Sequence, residues 1–326
     1  MMKRKWMRPL ITTVFYIALA VFLTIYLINV DWSVFRNIQP QPAFLAVALV
    51  AALGYRYWQT FIWITVLRGL GAHGVRMTAD LTHVYAKSWL GRYIPGTAPW
   101  ILGKIYFASQ HGISRAKLAV GSLLEAAIQI AVLLLISSIT LLFDPRLDVL
   151  GSGVRVIMIV VIIGCVVGLL PPVFNAAMGL AFRILRRPAI GAENRVGWRT
   201  ILTAVLQYAV GALISGAFLF FVAKAFFPAL PWTDAPYVVA AGNLAGAASM
   251  LAVFAPGGVG VREGVQLLLL GVVLPGGIAA LVAVSTRLTG IVADFVFFGI
   301  TWISRRVGSG GANPPQPADP IEPEPS

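Results

Sequence analysis

Long apolar runs, separated by shorter charged segments, dominate this chain of 326 residues. A helix needs about 20 mostly apolar residues to cross a bilayer. Six runs are long enough, and they lie near residues 8–29, 42–66, 117–143, 154–181, 199–227 and 278–304. The first run follows a basic start and is longer than a typical signal-peptide core, so we interpret it as a retained span. The pattern predicts an all-α polytopic membrane protein.

Two further apolar stretches are interrupted by helix-breaking residues. Residues 79–110 are interrupted at "IPGTAP", which contains Pro95 and Gly96. Residues 235–272 are interrupted at "APGGVG", and the breaking residues there are Pro256, Gly257, Gly258 and Gly260. Each half is roughly 14–20 residues long, which is too short for most of them to cross a bilayer alone. We therefore expect two re-entrant broken-helix hairpins in addition to the six full spans.

The spacing of these breaks indicates an internal repeat. They lie 161 residues apart, and the same offset carries the first three spans onto the last three. We predict a single transmembrane domain, 1–306, with inverted halves of about 8–150 and 154–306. Inverted repeats with helix breaks at matching positions are typical of transporters whose site lies near the midplane of the membrane.

Basic residues predict the orientation of the chain. Lys3, Arg4 and Lys5 precede the first span, and Arg305 and Arg306 follow the last one. Because cytoplasmic segments are enriched in Lys and Arg, both termini are expected in the cytoplasm of a multi-pass inner (plasma) membrane protein. Residues 307–326 are rich in Pro, Gly and acidic residues and are predicted to form a disordered cytoplasmic tail.

Composition narrows the possible functions. The chain is 59% hydrophobic and has a formal net charge of +13. In a membrane protein such a surplus belongs to loops that set orientation and contact anionic lipid, so no nucleic-acid partner is expected. The three histidines show no metal-ligand spacing, and Cys165 is the single cysteine. We find no convincing catalytic motif, and we predict no metal, no cofactor and no enzymatic activity.

Ionisable residues within the apolar segments are the candidate functional residues, because they are costly in a membrane and usually face a cavity. The candidates for binding substrate are Arg92, Lys104, Glu125, Arg262, Glu263, Arg287 and Asp294. With Lys87 they amount to five bases and three acids, which favours an anionic ligand such as a phosphate. One alternative is that the acids only form internal ion pairs, such as Glu125 or Glu263 with Arg287. Another is that Lys87 and Lys104 extend to the membrane interface.

The sequence "APGGVGVREG", followed by a span that carries Arg287, resembles the lysylphosphatidylglycerol synthase transmembrane family, also called the flippase-like domain family. Pro256, Gly257, Gly258 and Gly260, with the Arg-Glu pair at 262 and 263, match that family's P-G-G-x-G-x-R-E element. The resemblance covers about residues 5–305. The first half departs from the family, since no Gly-Glu follows Pro95-Gly96 and Ala126 replaces an Arg after Glu125.

The resemblance implies a protein that moves a lipid across the bilayer. Together with the matched breaks, it leads us to expect a flippase for an anionic phospholipid or a polyprenyl-phosphate-linked lipid. Since no aminoacyl-transferase domain follows the spans, the synthase reaction is not expected. Two alternatives remain open. One is a membrane glycosyl or lipid transferase with a polyprenyl-phosphate donor, which would use Glu125, Glu263 or Asp294. The other is a non-transporting partner of the enzymes of a glycolipid pathway.

Overall fold

Helices form nearly all of the chain that the computed structural model describes, namely residues 39–72, 74–93, 99–146, 152–184, 195–252, 258 and 260–308. In chain order they are α1 (Pro42–Gly69), α2 (Ala79–Leu90), α3 (Pro99–Ser109), α4 (Arg115–Leu142), α5 (Ser152–Gly168), α6 (Pro171–Ile184), α7 (Trp198–Phe226), α8 (Ala235–Leu251), α9 (Val261–Leu270) and α10 (Gly276–Gly308). Two short 3-10 turns, Gly91–Tyr93 and Trp232–Asp234, lie between these helices. The all-α prediction is confirmed for these residues.

Four of these helices, α1, α4, α7 and α10, are long and apolar enough to cross a membrane. They coincide with the predicted spans near 42–66, 117–143, 199–227 and 278–304. A helix satisfies its backbone hydrogen bonds internally, which is why apolar runs of this length adopt it in lipid. The predicted span at 8–29 lies outside the described residues. The count of six spans and the inverted relation of the halves stay predictions.

The predicted span near 154–181 is interrupted in the structure. The structure has two helices there, α5 and α6, bent by 86° relative to each other. The break precedes Pro171 and Pro172, which open α6. Proline lacks a backbone N–H and its ring clashes with the preceding turn, so a helix cannot run straight through the pair. The apolar run is continuous in sequence, but the helix is not.

The described helices end on either side of both predicted breaks. At the first break α2 ends at Leu90, and α3 begins at Pro99. At the second break α8 ends at Leu251, and α9 begins at Val261. Pro95, Gly96, Pro256 and Gly257 lie outside the described residues. The four helices have 12, 11, 17 and 10 residues, fewer than the roughly 20 that a straight crossing needs. We call α2 and α3 the first broken pair and α8 and α9 the second.

Small residues allow the helices to approach closely, as is common in membranes. The most extensive contacts join α1 to α7 and α4 to α8, while α10 packs against members of both broken pairs, α2 and α9. Helices α7 and α8 interlock through two glycines. A side chain built at Gly216 would meet the Val239 Cα at 2.8 Å, and one at Gly242 would meet the Leu219 Cδ2 at 2.8 Å. The second broken pair is thus held directly against α7.

We expect Gly216→Ala to lower the free energy of unfolding by about 1–3 kcal/mol, because the added methyl overlaps the backbone of α8. Unfolding of the purified protein in detergent measures the change. Gly54→Ala in α1 is the matched control, since nothing lies within 4 Å of a side chain built there. Equal stability of the two variants would contradict the packing of α7 on α8.

Candidate functional site

The carboxylate of Asp294, on α10, joins three parts of the chain. Its Oδ1 accepts hydrogen bonds from the Arg56 Nε of α1 and from the Trp89 Nε1 of α2, the latter at 3.2 Å. Its Oδ2 accepts one from the Tyr93 hydroxyl at 2.6 Å, and the Arg92 Nη1 lies 4.0 Å away. The Asp294 side chain is only 1% exposed. A buried carboxylate needs this degree of pairing, because an unpaired one is very costly.

Two of the surrounding arginines pack against the ring of Trp89. The guanidinium carbon of Arg56 lies 4.9 Å from the ring centroid, and that of Arg92 lies 4.7 Å from it. Arginine packs well on aromatic faces, where the negative face of the ring attracts the positive charge. Trp89 therefore stabilises two neighbouring positive charges that otherwise repel each other, and it orients both toward Asp294.

A second carboxylate, Glu263, organises the start of α9. Its Oε2 accepts a hydrogen bond from the Gly260 backbone N–H at 2.7 Å, and its Oε1 accepts one from the Arg287 Nη1 at 3.3 Å. Glu263 occupies the third position of the helix, where an acid can reach back to the N-cap. Of the two ion pairs named as alternatives for Arg287, the structure has the one with Glu263. The alternative partner for Arg287, Glu125, is not used.

Two glycines shape the turn that precedes α9. Gly258 has φ 65° and Gly260 has φ 85°, in the left-handed region that residues with a Cβ rarely adopt. A Cβ at Gly258 would also overlap the side chain of Ser249 on α8. These residues thus permit both the reversed backbone and its close approach to α8. The geometry explains why the interrupted segment needs glycine at these two positions.

Arg262 differs from the other arginines of the site. Within the described part of the chain its side chain makes neither a hydrogen bond nor an ion pair. Its guanidinium is attracted by the carboxylate of Glu263 and repelled by the guanidinium groups of Arg56, Arg92 and Arg287. We call Arg262 and these three arginines, together with Asp294 and Glu263, the arginine cluster. Four guanidinium groups face two carboxylates there, so the cluster has a surplus of positive charge.

The arginine cluster is partly open. The side chains of Arg92 and Arg287 are each 24% exposed and that of Glu263 is 20% exposed, whereas Asp294 is sealed. The first broken pair contributes through the turn that follows α2, and the second contributes through the start of α9. The arrangement can bind an anion, because guanidinium groups offer paired N–H donors that match the oxygens of phosphate or carboxylate.

Lys104 and Glu125 lie apart from the cluster, in a closed compartment of their own. The Lys104 Nζ donates a hydrogen bond to the Glu125 Oε2 at 3.0 Å, and the side chains are 1% and 4% exposed. The direct partner of Lys104 is thus Glu125. The interpretation that Lys104 extends to the interface is wrong, because aromatic rings and α4 enclose it. Lys87 is exposed, with its Nζ 4.1 Å from the centroid of the Phe107 ring.

The structure therefore divides the residues predicted for one site. Arg92, Arg262, Glu263, Arg287 and Asp294 come together, whereas Lys104 and Glu125 form a separate pair.

Arg56, Trp89 and Tyr93 contribute to the cluster but were not predicted. A lone arginine in the middle of an apolar span was the available signal for Arg56, since such a residue requires a buried partner.

The comparison with known families extends over most of this structure. Residues 10–297 match the family described as the lysylphosphatidylglycerol synthase TM region. The chain belongs to this family. The match includes every residue of the arginine cluster and both broken pairs, so the geometry above belongs to the family domain and not to an appended segment. The search of curated proteins found no match to the chain.

We expect Arg56→Met to lower the free energy of unfolding by about 3–5 kcal/mol, because it removes a principal partner of a buried carboxylate. Chemical unfolding in detergent measures the loss. The control is Asp80→Asn, which breaks the exposed ion pair with Arg305, whose two side chains are 49% and 53% exposed. Such surface pairs contribute about 0–1 kcal/mol. Similar small losses in both variants would show that Asp294 does not depend on Arg56.

Proposed function

We propose that the protein is a lipid flippase that binds the phosphate of an anionic phospholipid or polyprenyl-phosphate-linked lipid at the arginine cluster. The observation that carries the proposal is Arg262, a guanidinium without an ion-pair partner among the described residues, in a cluster that already has more cations than anions. A surplus of charge in an apolar bundle is costly. An anionic ligand would compensate for it.

The membership in a family of membrane domains of lysylphosphatidylglycerol synthase supports a role connected with membrane lipids. The position of the cluster supports transport. Arg92 lies just before the first break, while Arg262 and Glu263 follow the second, and broken helices in matching positions are a general feature of transport sites. In this proposal the phosphate is held by Arg92, Arg262 and Arg287, and Glu263 and Asp294 orient the bases.

The transfer across the membrane follows from the same arrangement. Each broken pair would open the arginine cluster to one side in turn, as inverted repeats do in alternating access. The lipid tails would stay in the bilayer while the head group passes along the cluster. The proposal includes re-entry of each broken pair, six full spans in inverted halves and cytoplasmic termini in the inner membrane. Enzymes of a glycolipid pathway would supply or consume the lipid.

The transferase alternative receives less support from the site. It requires a carboxylate that can act as a base or hold a metal. Each of the three acids proposed for that role is already an ion-pair partner, Glu125 of Lys104, Glu263 of Arg287 and Asp294 of Arg56. No observation favours it over transport.

Arg262→Gln is the sharpest test of the proposal. Because Arg262 has no ion-pair partner in the described structure, its removal leaves no acid unpaired, and we expect the variant to fold with unchanged or higher stability. We expect its affinity for phosphatidylglycerol to fall about tenfold, since hydrogen bonds to charged groups contribute about 1.5–3 kcal/mol. Native mass spectrometry of the detergent-solubilised protein measures the binding.

Translocation is measured in proteoliposomes that contain fluorescent phosphatidylglycerol, by chemical quenching of the outer leaflet. We expect Arg262→Gln and Arg287→Gln each to slow the exchange about tenfold or more. The matched control is Arg115→Gln, which removes one positive charge at the exposed start of α4. Unchanged translocation in both cluster variants would refute the assignment of the phosphate site.

A further inference from the structure

The ammonium group of Lys104 lies in a compartment built like a receptor for cations. Three aromatic rings surround it: the Nζ is 4.8 Å from the centroid of Tyr85, 5.1 Å from that of Trp100 and 5.6 Å from that of Trp63. The carboxylate of Glu125 completes the enclosure at 3.0 Å. Aromatic faces combined with an anion are the general means by which proteins recognise organic ammonium groups. Here the occupant is a side chain of the protein.

The compartment has hydrogen-bonding capacity that Lys104 does not use. The Glu125 Oε1 is buried and has no hydrogen-bond partner in the part of the chain that the structure describes. The same holds for the Trp63 Nε1, the Ser122 Oγ of α4 and the Tyr208 hydroxyl of α7, which feels the charge of Glu125. Buried polar atoms are usually paired. The carboxylate could therefore accept a further N–H donor.

The compartment adjoins the arginine cluster. Tyr85 stacks on Trp89, with ring centroids 6.0 Å apart, and Trp89 packs edge-on against Trp100 at 6.1 Å. Arg56 and Arg92 lie over the same Trp89 ring. We call Trp63, Tyr85, Trp89 and Trp100 the aromatic wall. A cation site and an anion site thus share one wall, which is the arrangement that a zwitterionic head group, with a phosphate and an ammonium, would require.

We propose that Lys104 is a specificity-determining residue, a tethered ammonium that fills the cation compartment and excludes lipids whose head group carries an amine. This inference rests on the proposed binding of a lipid phosphate at the arginine cluster. The Lys104 side chain already occupies the compartment, and its charge would also repel a second ammonium at short range in a poorly screened environment. The preferred cargo is therefore an anionic lipid without an amine, such as phosphatidylglycerol or a polyprenyl phosphate.

A purely structural ion pair predicts different behaviour from a tethered ligand. If Lys104 only locks α3 to α4, its removal weakens the fold and no soluble amine restores it. If the compartment recognises ammonium groups, a small amine can take the vacated place. The stability of the variant then rises with amine concentration by mass action.

The first experiment is chemical rescue of Lys104→Ala. We expect a lower melting temperature than in the wild type, recovered in part by ethylammonium chloride and not by sodium chloride at the same ionic strength. Lys104→Met fills the volume without a charge, so no recovery is expected there. Recovery should also be lost in Lys104→Ala with Glu125→Gln. Absence of any amine-specific recovery would overturn the cation compartment.

The second experiment measures lipid selectivity by native mass spectrometry. Phosphatidylserine and phosphatidylglycerol have the same net charge, but only the former carries an ammonium. We expect the wild type to prefer phosphatidylglycerol, and we expect Lys104→Ala to shift the ratio toward phosphatidylserine about tenfold. Lys104→Met should leave the ratio as it is in the wild type. An unshifted ratio in Lys104→Ala would refute the role in specificity.

The wild-type measurement needs no variant that might misfold, and equal binding of the two lipids there would by itself overturn the inference. Failure of the proposed function has a separate signature: phosphatidylglycerol would bind equally well to the wild type and to Arg262→Gln, while amine rescue of Lys104→Ala persists. Amine rescue without a change in lipid selectivity would refute specificity alone and leave the arginine cluster unaffected.

Discussion

The burial of one carboxylate, that of Asp294, determines how the first broken pair packs against α1 and α10. Four groups from α1, α2 and the following turn converge on it: Arg56, Trp89, Arg92 and Tyr93. In an apolar bundle this carboxylate has few alternatives, because leaving it unpaired is far more costly than ordering its partners. Polar pairing thus fixes the relative positions of α1, α2 and α10, where apolar packing alone would permit sliding.

The pairing of the acids also explains why Arg262 differs from the other arginines of the cluster. Asp294 and Glu263 each bind groups that hold the architecture: Asp294 joins helices, and Glu263 caps α9 and binds Arg287. Both acids are therefore committed to structure. Arg262 enters the cluster with no acid left to pair with it among the described residues. The positive surplus follows from this division, and Trp89 lessens its cost by taking two guanidinium groups on its ring.

Local signals in the sequence predicted the positions of the helix breaks. Some contacts between distant residues were missed, for physical reasons. Proline and glycine act on the backbone within a turn, so both breaks could be placed without tertiary information. The pairing of Glu263 with Arg287 was among the predicted alternatives. The bend before Pro171 was missed because hydropathy averages over a window and does not register the lost N–H donors. Arg56 was missed for a similar reason, since one charge hardly changes the mean of an apolar run.

The surroundings of Lys104 could not be predicted from its position in the sequence. Lys104 follows the first break much as Arg262 follows the second, yet the two side chains lie in different sites. The number of residues between a break and a charge does not determine which neighbours enclose it. The enclosing rings come from three helices, with Trp63 on α1, Tyr85 on α2 and Trp100 on α3. Only their packing decides that Lys104 turns inward to Glu125. The aromatic wall therefore separates an arginine cluster that is partly open from a compartment closed around its own cation. A head group bound at the arginines would meet that compartment across Tyr85 and Trp89.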